Sequence, residues 1–304
     1  MRKTLFLLFV IYFVTAGHFV MAMSSGNYQI MWDNFNEGGG EGSSSTNFSM
    51  SDTLGDQATG YSSSTNFQLS AGYRIFEEEP LSFVVRGQTT ASQVAYSAFD
   101  NSSNTVTVSS AAGFSTGDYI AVVEDSGFAQ LVAVGRVTGI AGNILSVDDF
   151  DGDGSGMSAS PAGGNDSVYR LASNAAAFGT VSAGAENVSV ALTSVGSSGA
   201  SGYSVYIQGN QELQNTSAQV MASVADGTVS TGSEEYGAEV TGATAFGAGT
   251  DTAVTTTQRV IQTSVAASGT VPDKVGMLYK LSTVAGTNPG TYTQNVYYTL
   301  TPNF

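Results

Sequence analysis

The chain contains no cysteine. Disulfides, thiol catalysis and thiolate metal ligation are excluded, so the fold must be held by core packing, with or without a metal. Histidine is almost as scarce, and the single one is His18. It lies in a stretch ordered like a secretion signal: basic Arg2 and Lys3, an apolar run from Thr4 to Thr15, and small residues at Val20-Met21-Ala22. That run is shorter than the roughly 20 residues a spanning helix needs. The reading is a signal peptide over 1–22, cleaved after Ala22, giving a secreted, extracellular chain with no membrane span after cleavage. Cleavage would remove the only imidazole, and with it Ser-His-Asp catalysis and His-based zinc sites. Basic residues are also few: nine Lys and Arg against 25 Asp and Glu, a net charge of −16. A nucleic-acid binder needs a basic stripe, and none is present. Anionic membrane surfaces are disfavoured for the same reason.

What is abundant points to strands. Charged residues make up only 11% of the chain, whereas glycine numbers 37. Thr, Val and Tyr with many glycines favour short strands joined by tight turns. No window keeps a helical period. Residues 23–80 form a Ser/Gly-rich β-repeat region. Ser25-Gly26-Asn27-Tyr28-Gln29-Ile30 recurs as Ser45-Thr46-Asn47-Phe48-Ser49-Met50 and as Ser64-Thr65-Asn66-Phe67-Gln68-Leu69. Each copy reads as a short strand whose aromatic and aliphatic residues, two apart, share a face. Glu77-Glu78-Glu79-Pro80 reads as a solvated linker.

Strand patterns then follow at Leu81–Gly87, Thr105–Val108, Tyr119–Glu124, Leu131–Val137, Ile144–Val147 and Ser167–Leu171, parted by glycine turns. Later ones fall at Val188–Leu192, Tyr203–Gln208, Val260–Ala266, Val275–Leu281 and Thr291–Leu300. The fold class is all-β: an antiparallel, Ig-like β-sandwich over 81–304. It is interrupted by a small β-barrel insertion over 91–172. In the last strand, Tyr292, Gln294, Val296, Tyr298 and Leu300 should face inward and Thr293, Asn295, Tyr297 and Thr299 outward.

Three stretches carry resemblances. The Ser-x-Asn-aromatic copies, with Thr53-Leu54-Gly55-Asp56 and Leu69-Ser70-Ala71-Gly72-Tyr73, resemble a module near the N-terminus of bacterial secreted proteins. Phe114-Ser115-Thr116-Gly117-Asp118-Tyr119-Ile120 and the hairpin Val137 to Val147 are similar to small barrel modules of phage and surface proteins. Phe178-Gly179-Thr180-Val181, Gly202-Tyr203-Ser204-Val205-Tyr206 and the ending from Gly290 to Phe304 resemble bacterial secreted cell-surface β-sandwich domains. The ending is also similar to the closing strand of WxL-type wall-binding domains, with Tyr298-Thr299-Leu300 where that family has Trp-x-Leu. These likenesses imply surface architecture and no catalytic chemistry.

One motif has metal-ligand spacing. Asp149-Phe150-Asp151-Gly152-Asp153-Gly154-Ser155 is Asp-x-Asp-x-Asp-Gly, the pattern of a Ca²⁺ loop. Asp149, Asp151, Asp153 and Ser155 are the candidate ligands, with Asp148 and Asp166 able to add oxygens. The twelfth position is Ser160, not the bidentate Glu of an EF-hand. The competing reading is an acidic, solvated hairpin loop. Glu212, Glu234, Glu235 and Glu239 supply the carboxylates a glycosidase would need, but in stretches that read as loops. The expectation is therefore a structural or adhesive surface protein without catalytic activity, acting through self-assembly or other surface proteins. The alternative is a calcium-dependent module for carbohydrate or cell-wall glycan. An outer-membrane barrel, suggested by the terminal Phe304, is opposed by Pro302 in its last strand.

Overall fold

The computed structural model describes residues 81–303, apart from residue 162, together with the backbone of six short strands between residues 24 and 71. The chain divides into two units, Met1–Glu78 and Glu79–Phe304. The signal segment 1–22 and the Glu77-Glu78-Glu79-Pro80 stretch lie outside the described residues.

In the first unit three short antiparallel strand pairs are described. β1 (Ser24–Ser25) pairs with β2 (Tyr28–Gln29), β3 (Gly38–Ser44) with β4 (Ser49–Leu54), and β5 (Gly60–Ser63) with β6 (Gln68–Ala71), all antiparallel. Each Asn-aromatic copy leads into the second strand of its hairpin. In the last two copies that strand begins one residue after the aromatic, at Ser49 and Gln68.

The second unit is built on one long antiparallel sheet. Its strands are β7 (Leu81–Gln88), β8 (Tyr96–Asp100), β9 (Thr105–Val108), β10 (Tyr119–Glu124), β11 (Leu131–Ala141), β12 (Ile144–Val147), β13 (Asp151–Gly152), β14 (Ser167–Ser173), β15 (Asn187–Ser197), β18 (Glu235–Thr241) and β20 (Asp273–Ser282). The spatial order is β18-β20-β15-β7-β14-β10-β11-β12-β9-β8, with β13 added on β11. A smaller sheet, β19-β16-β22, combines β16 (Tyr203–Gly209), β19 (Arg259–Ser264) and β22 (Val296–Pro302). A short ladder joins β17 (Gln214–Asn215) to β21 (Tyr292–Thr293). The described helical structure is a single 3₁₀ turn, Thr90–Ser92. Among the described residues no helix is long and apolar enough to cross a membrane.

The end of the long sheet from β14 to β8 curls on itself. β11 makes this possible: its first half pairs with β10 and its second half with β12, with an irregularity between Val137 and Gly139. Such bulges bend a strand and increase its twist. Gly142, at φ +61°, closes the two-residue turn into β12, a backbone state that glycine adopts freely. Tyr96, Phe99, Val106, Ile120, Val122, Leu145 and Phe150 fill the interior. The barrel expected over 91–172 is, however, not closed. Outside the named strands, one bridge, Val94 to Val168, ties the β8 end back to β14. β14 pairs with β10 over residues 167–171 and with β7 at Leu171 and Ser173, so its second edge is shared between β7 and that single bridge and no β8–β14 ladder forms. The result is a rolled sheet continuous with the sandwich.

The other half of the long sheet, β7, β15, β20 and β18, makes the sandwich with the small sheet. Val195, Tyr203, Val205, Ile207, Ile261, Val275, Met277 and Tyr279 form its core. On its other face Val190, Leu192 and Leu278 pack against Ala121, Val123, Val132 and Val134 of the roll. β15 and β20 are thus covered on both sides, and nine of the ten β20 residues are buried. A strand covered on both faces reads as a near-continuous apolar run, as Val275 to Leu281 does. After β14 the chain crosses the sandwich face directly over Gly87. A Cβ there would lie 2.4 Å from the Ala175 carbonyl oxygen, so glycine is what permits the crossing.

Candidate functional site

The acidic loop, residues 148–155, joins β12 to the segment after β13. Its carboxylates are brought close along the chain but are turned to different partners. Asp148 Oδ1 accepts the Arg136 and Asp149 amides, at 3.0 and 2.8 Å. Asp151, in β13, accepts the Lys274 amide at 3.1 Å and lies 3.6 Å from Lys274 Nζ. Asp153 accepts the Val132 amide at 3.0 Å and the Thr241 hydroxyl at 2.7 Å. Asp166 is buried and takes the Asp125 and Gly163 amides, both at 2.9 Å. Asp149, Ser155 and Ser160 are exposed. Among the described residues no group of three or more Asp, Glu or His is placed to hold a metal. The loop instead pins the roll to the sandwich, through Lys274 and Thr241. Because these oxygens are already committed, the melting temperature is expected to be the same in chelator and in millimolar Ca²⁺. A rise in stability with log calcium would show that the loop rearranges into a binding site.

The four glutamates do not converge either. Glu212 accepts the Ser223 hydroxyl at 2.8 Å and Glu235 the Ser230 amide at 2.8 Å. Glu239 is 2.6 Å from Lys280 Nζ. Glu235 and Glu239 sit in a strand, β18, rather than in the loop that the composition suggested.

A cleft of about 1270 Å³ lies on the sandwich face, lined among others by Val85, Phe178, Tyr236, Tyr279, Val296 and Tyr298. Tyr236 and Tyr279 stack, with centroids 6.5 Å apart and planes 9° from parallel, and Phe178 meets Tyr236 edge-on at 6.4 Å. Such arrangements suit the ring quadrupole. The Tyr279 and Tyr298 hydroxyls bond to each other, and Tyr236 donates to Gln294 Oε1 at 3.0 Å. Gln294 in turn donates to the Val254 carbonyl at 2.8 Å. Arg259 and Tyr298 both stand opposite Ile207, on neighbouring strands, and so share its inward face. The Arg259 Nε and Nη2 are buried without a hydrogen-bond partner. Burial lowers the Arg259 pKa, opposed by the nearby Tyr279 and Tyr298. Burial pushes Tyr298 up to about 12 and raises Tyr279 well beyond its ordinary value, the latter with help from Tyr298. The phenols are therefore neutral at physiological pH, and the cleft offers hydroxyls and ring faces rather than charge.

One wall of the cleft is β22. It pairs with β16 along one edge, and among the described residues its other edge has no partner. Other sheet ends are covered. Thr252 bridges to Ala238 on β18, Ala245 bridges to Gln262 on β19, and the Phe99 amide on β8 donates to the Ala159 carbonyl. Edge strands usually carry a charge or are very short, which blocks further pairing. β22 is seven residues long, Val-Tyr-Tyr-Thr-Leu-Thr-Pro, and its only such device is the terminal Pro302. Sequence reading caught the inward and outward alternation of this strand, but not that its edge is free or that the tyrosines of three separate strands meet beside it. Comparison of the chain with known protein families, curated proteins and solved structures returns no match.

Proposed function

We propose that this is a secreted, non-catalytic structural or adhesive protein of a bacterial surface, which associates with a second copy by strand addition at β22. The observation that carries the reading is the uncharged β22 edge, unpaired among the described residues, beside the tyrosine-lined cleft. An added strand gains main-chain hydrogen bonds from the edge, and its alternate side chains enter the adjoining cleft. Cleft and edge together give affinity and register. The signal-like N-terminus and the surface-protein resemblances support the location.

Sedimentation of purified protein over a range of concentrations tests the assembly. The wild-type chain is expected to form dimers or longer species. Lysine at both Tyr297 and Thr299, two exposed positions of β22, should leave a monomer with an unchanged melting temperature. A wild-type protein that stays monomeric throughout, yet is retained saturably on wall glycan, would replace this reading with the glycan-binding alternative.

A further inference from the structure

We infer that Lys280 and Asp251 are a site of self-modification, where the lysine amine and the aspartate side chain condense into an intramolecular amide with Glu239 as proton carrier. The three residues lie side by side on the long sheet. Lys280 is on β20 opposite Gly237, and Glu239 is two residues further along β18. Asp251 precedes Thr252, which bridges to Ala238 on the outer side of β18. Lys280 Nζ is 2.6 Å from Glu239 Oε2 and 2.9 Å from Asp251 Oδ1. The Lys280 and Asp251 side chains are 5% and 4% exposed.

Two details separate this cluster from an ordinary ion pair. Asp251 Oδ1 is buried and, among the described residues, has no polar partner but the Lys280 amine. Its other oxygen accepts the Val229 amide at 2.7 Å, which fixes the carboxyl group in place. The Lys280 nitrogen and the Asp251 carboxyl are thus held in contact, with both side chains almost excluded from water. Holding reacting groups at contact distance in this way replaces the entropy cost of bringing them together. Lys274, the other buried lysine, differs. Its Nζ donates to the Pro272 carbonyl at 3.2 Å and stays 3.4 and 3.6 Å from its two carboxylates.

The reaction balances without a co-reactant. The Lys280 ammonium gives one proton to Glu239 and becomes a nucleophilic amine. The amine attacks Asp251 Cγ and forms the C–N bond. It loses a second hydrogen as the C–O bond breaks, and the departing oxygen leaves as water with these two hydrogens. Glu239 returns to carboxylate. Burial pulls the Lys280 amine down, but the two carboxylates outweigh it and keep its pKa above the usual value, so the ammonium is the starting form and Glu239 is needed to carry the proton. The product would brace a cysteine-free chain covalently, as a disulfide does elsewhere. This inference is independent of whether the protein self-associates.

Electrospray mass spectrometry of the purified full chain tests it. The expected mass is one water lower than that calculated for the chain from its measured N-terminus, and proteolysis should yield a branched peptide containing both Asp251 and Lys280. Lys280→Arg keeps the charge but has no amine to condense, and should show the full mass. Glu239→Gln keeps the shape but cannot carry the proton, and should accumulate uncrosslinked chain while remaining folded by circular dichroism. An unshifted wild-type mass overturns the inference. So does a lowered mass without the branched peptide, which would be dehydration at an aspartate alone.

Discussion

Replacing Lys274 by alanine is expected to destabilise the protein by about 3 kcal/mol, the lower end for a broken buried ion pair, because it leaves two partly buried carboxylates without their cation. The Lys274 side chain is completely buried, with Asp148 at 3.4 Å and Asp151 at 3.6 Å. Urea denaturation at neutral pH measures the loss. The pH dependence identifies its cause. Burial raises the Asp151 pKa, and Lys274 is the main opposing influence. Without that cation the folded carboxyl should hold its proton to still higher pH than the unfolded chain does. The native state then binds more protons than the unfolded state, so stability falls as pH rises through the carboxylate range. The deficit of the alanine variant should therefore shrink on acidification. Asp151→Asn introduced alongside Lys274→Met should recover much of the loss at neutral pH. A loss under 1 kcal/mol, or one independent of pH, would mean that Asp148 and Asp151 are well solvated without Lys274.

This site shows what sequence reading reaches and where it stops. Asp-x-Asp-x-Asp is a local pattern, and its spacing was visible as potential convergence on a metal. What fixes the carboxylates is Lys274, 123 residues from Asp151 along the chain. No local window contains both. The strand that carries it was legible as an apolar run, Val275 to Leu281, because both faces of β20 are covered. The lysines at its two ends were not legible as buried, since a lysine beside a strand ordinarily faces water. β18 was missed for the complementary reason. Glu-Tyr-Gly-Ala-Glu-Val-Thr carries a glycine and two glutamates, a poor strand composition. It pairs with β20 over its whole length, and Glu239 meets a cation from that neighbour. The roll was legible as short strands at regular spacing, but whether a sheet closes depends on which edges are already paired. That β14 continues into β7 is a property of the assembled sheet.

The largest expected effect follows from β22. Deleting residues 291–304 should leave a protein that fails to fold or aggregates. Val296, Tyr298 and Leu300 are half-buried and pack against the sandwich core, while Tyr297 between them is 58% exposed. Fully burying such side chains is worth roughly 1.5–3 kcal/mol each. Together, even at partial burial, they approach the 5–15 kcal/mol that a whole domain typically has. The deletion also removes Tyr298 and Gln294, the hydrogen-bond partners of Tyr279 and Tyr236. Each phenol left buried and unpaired costs about 1–3 kcal/mol more. β16 would lose the partner along its length, exposing an edge for indiscriminate pairing. Single substitutions should separate these contributions. Tyr298→Ala removes both packing and the bond to Tyr279, and should be the most damaging change in the strand. Asn295→Ala, at an exposed position whose backbone rather than side chain bonds to Asn210, should stay within about 0.5 kcal/mol of wild type. Thermal melts and light scattering of the truncated chain decide the matter. A truncated chain that remains monomeric and melts at the wild-type temperature would show that β22 is not part of the sandwich core, and would make it a detachable strand available to a neighbouring subunit.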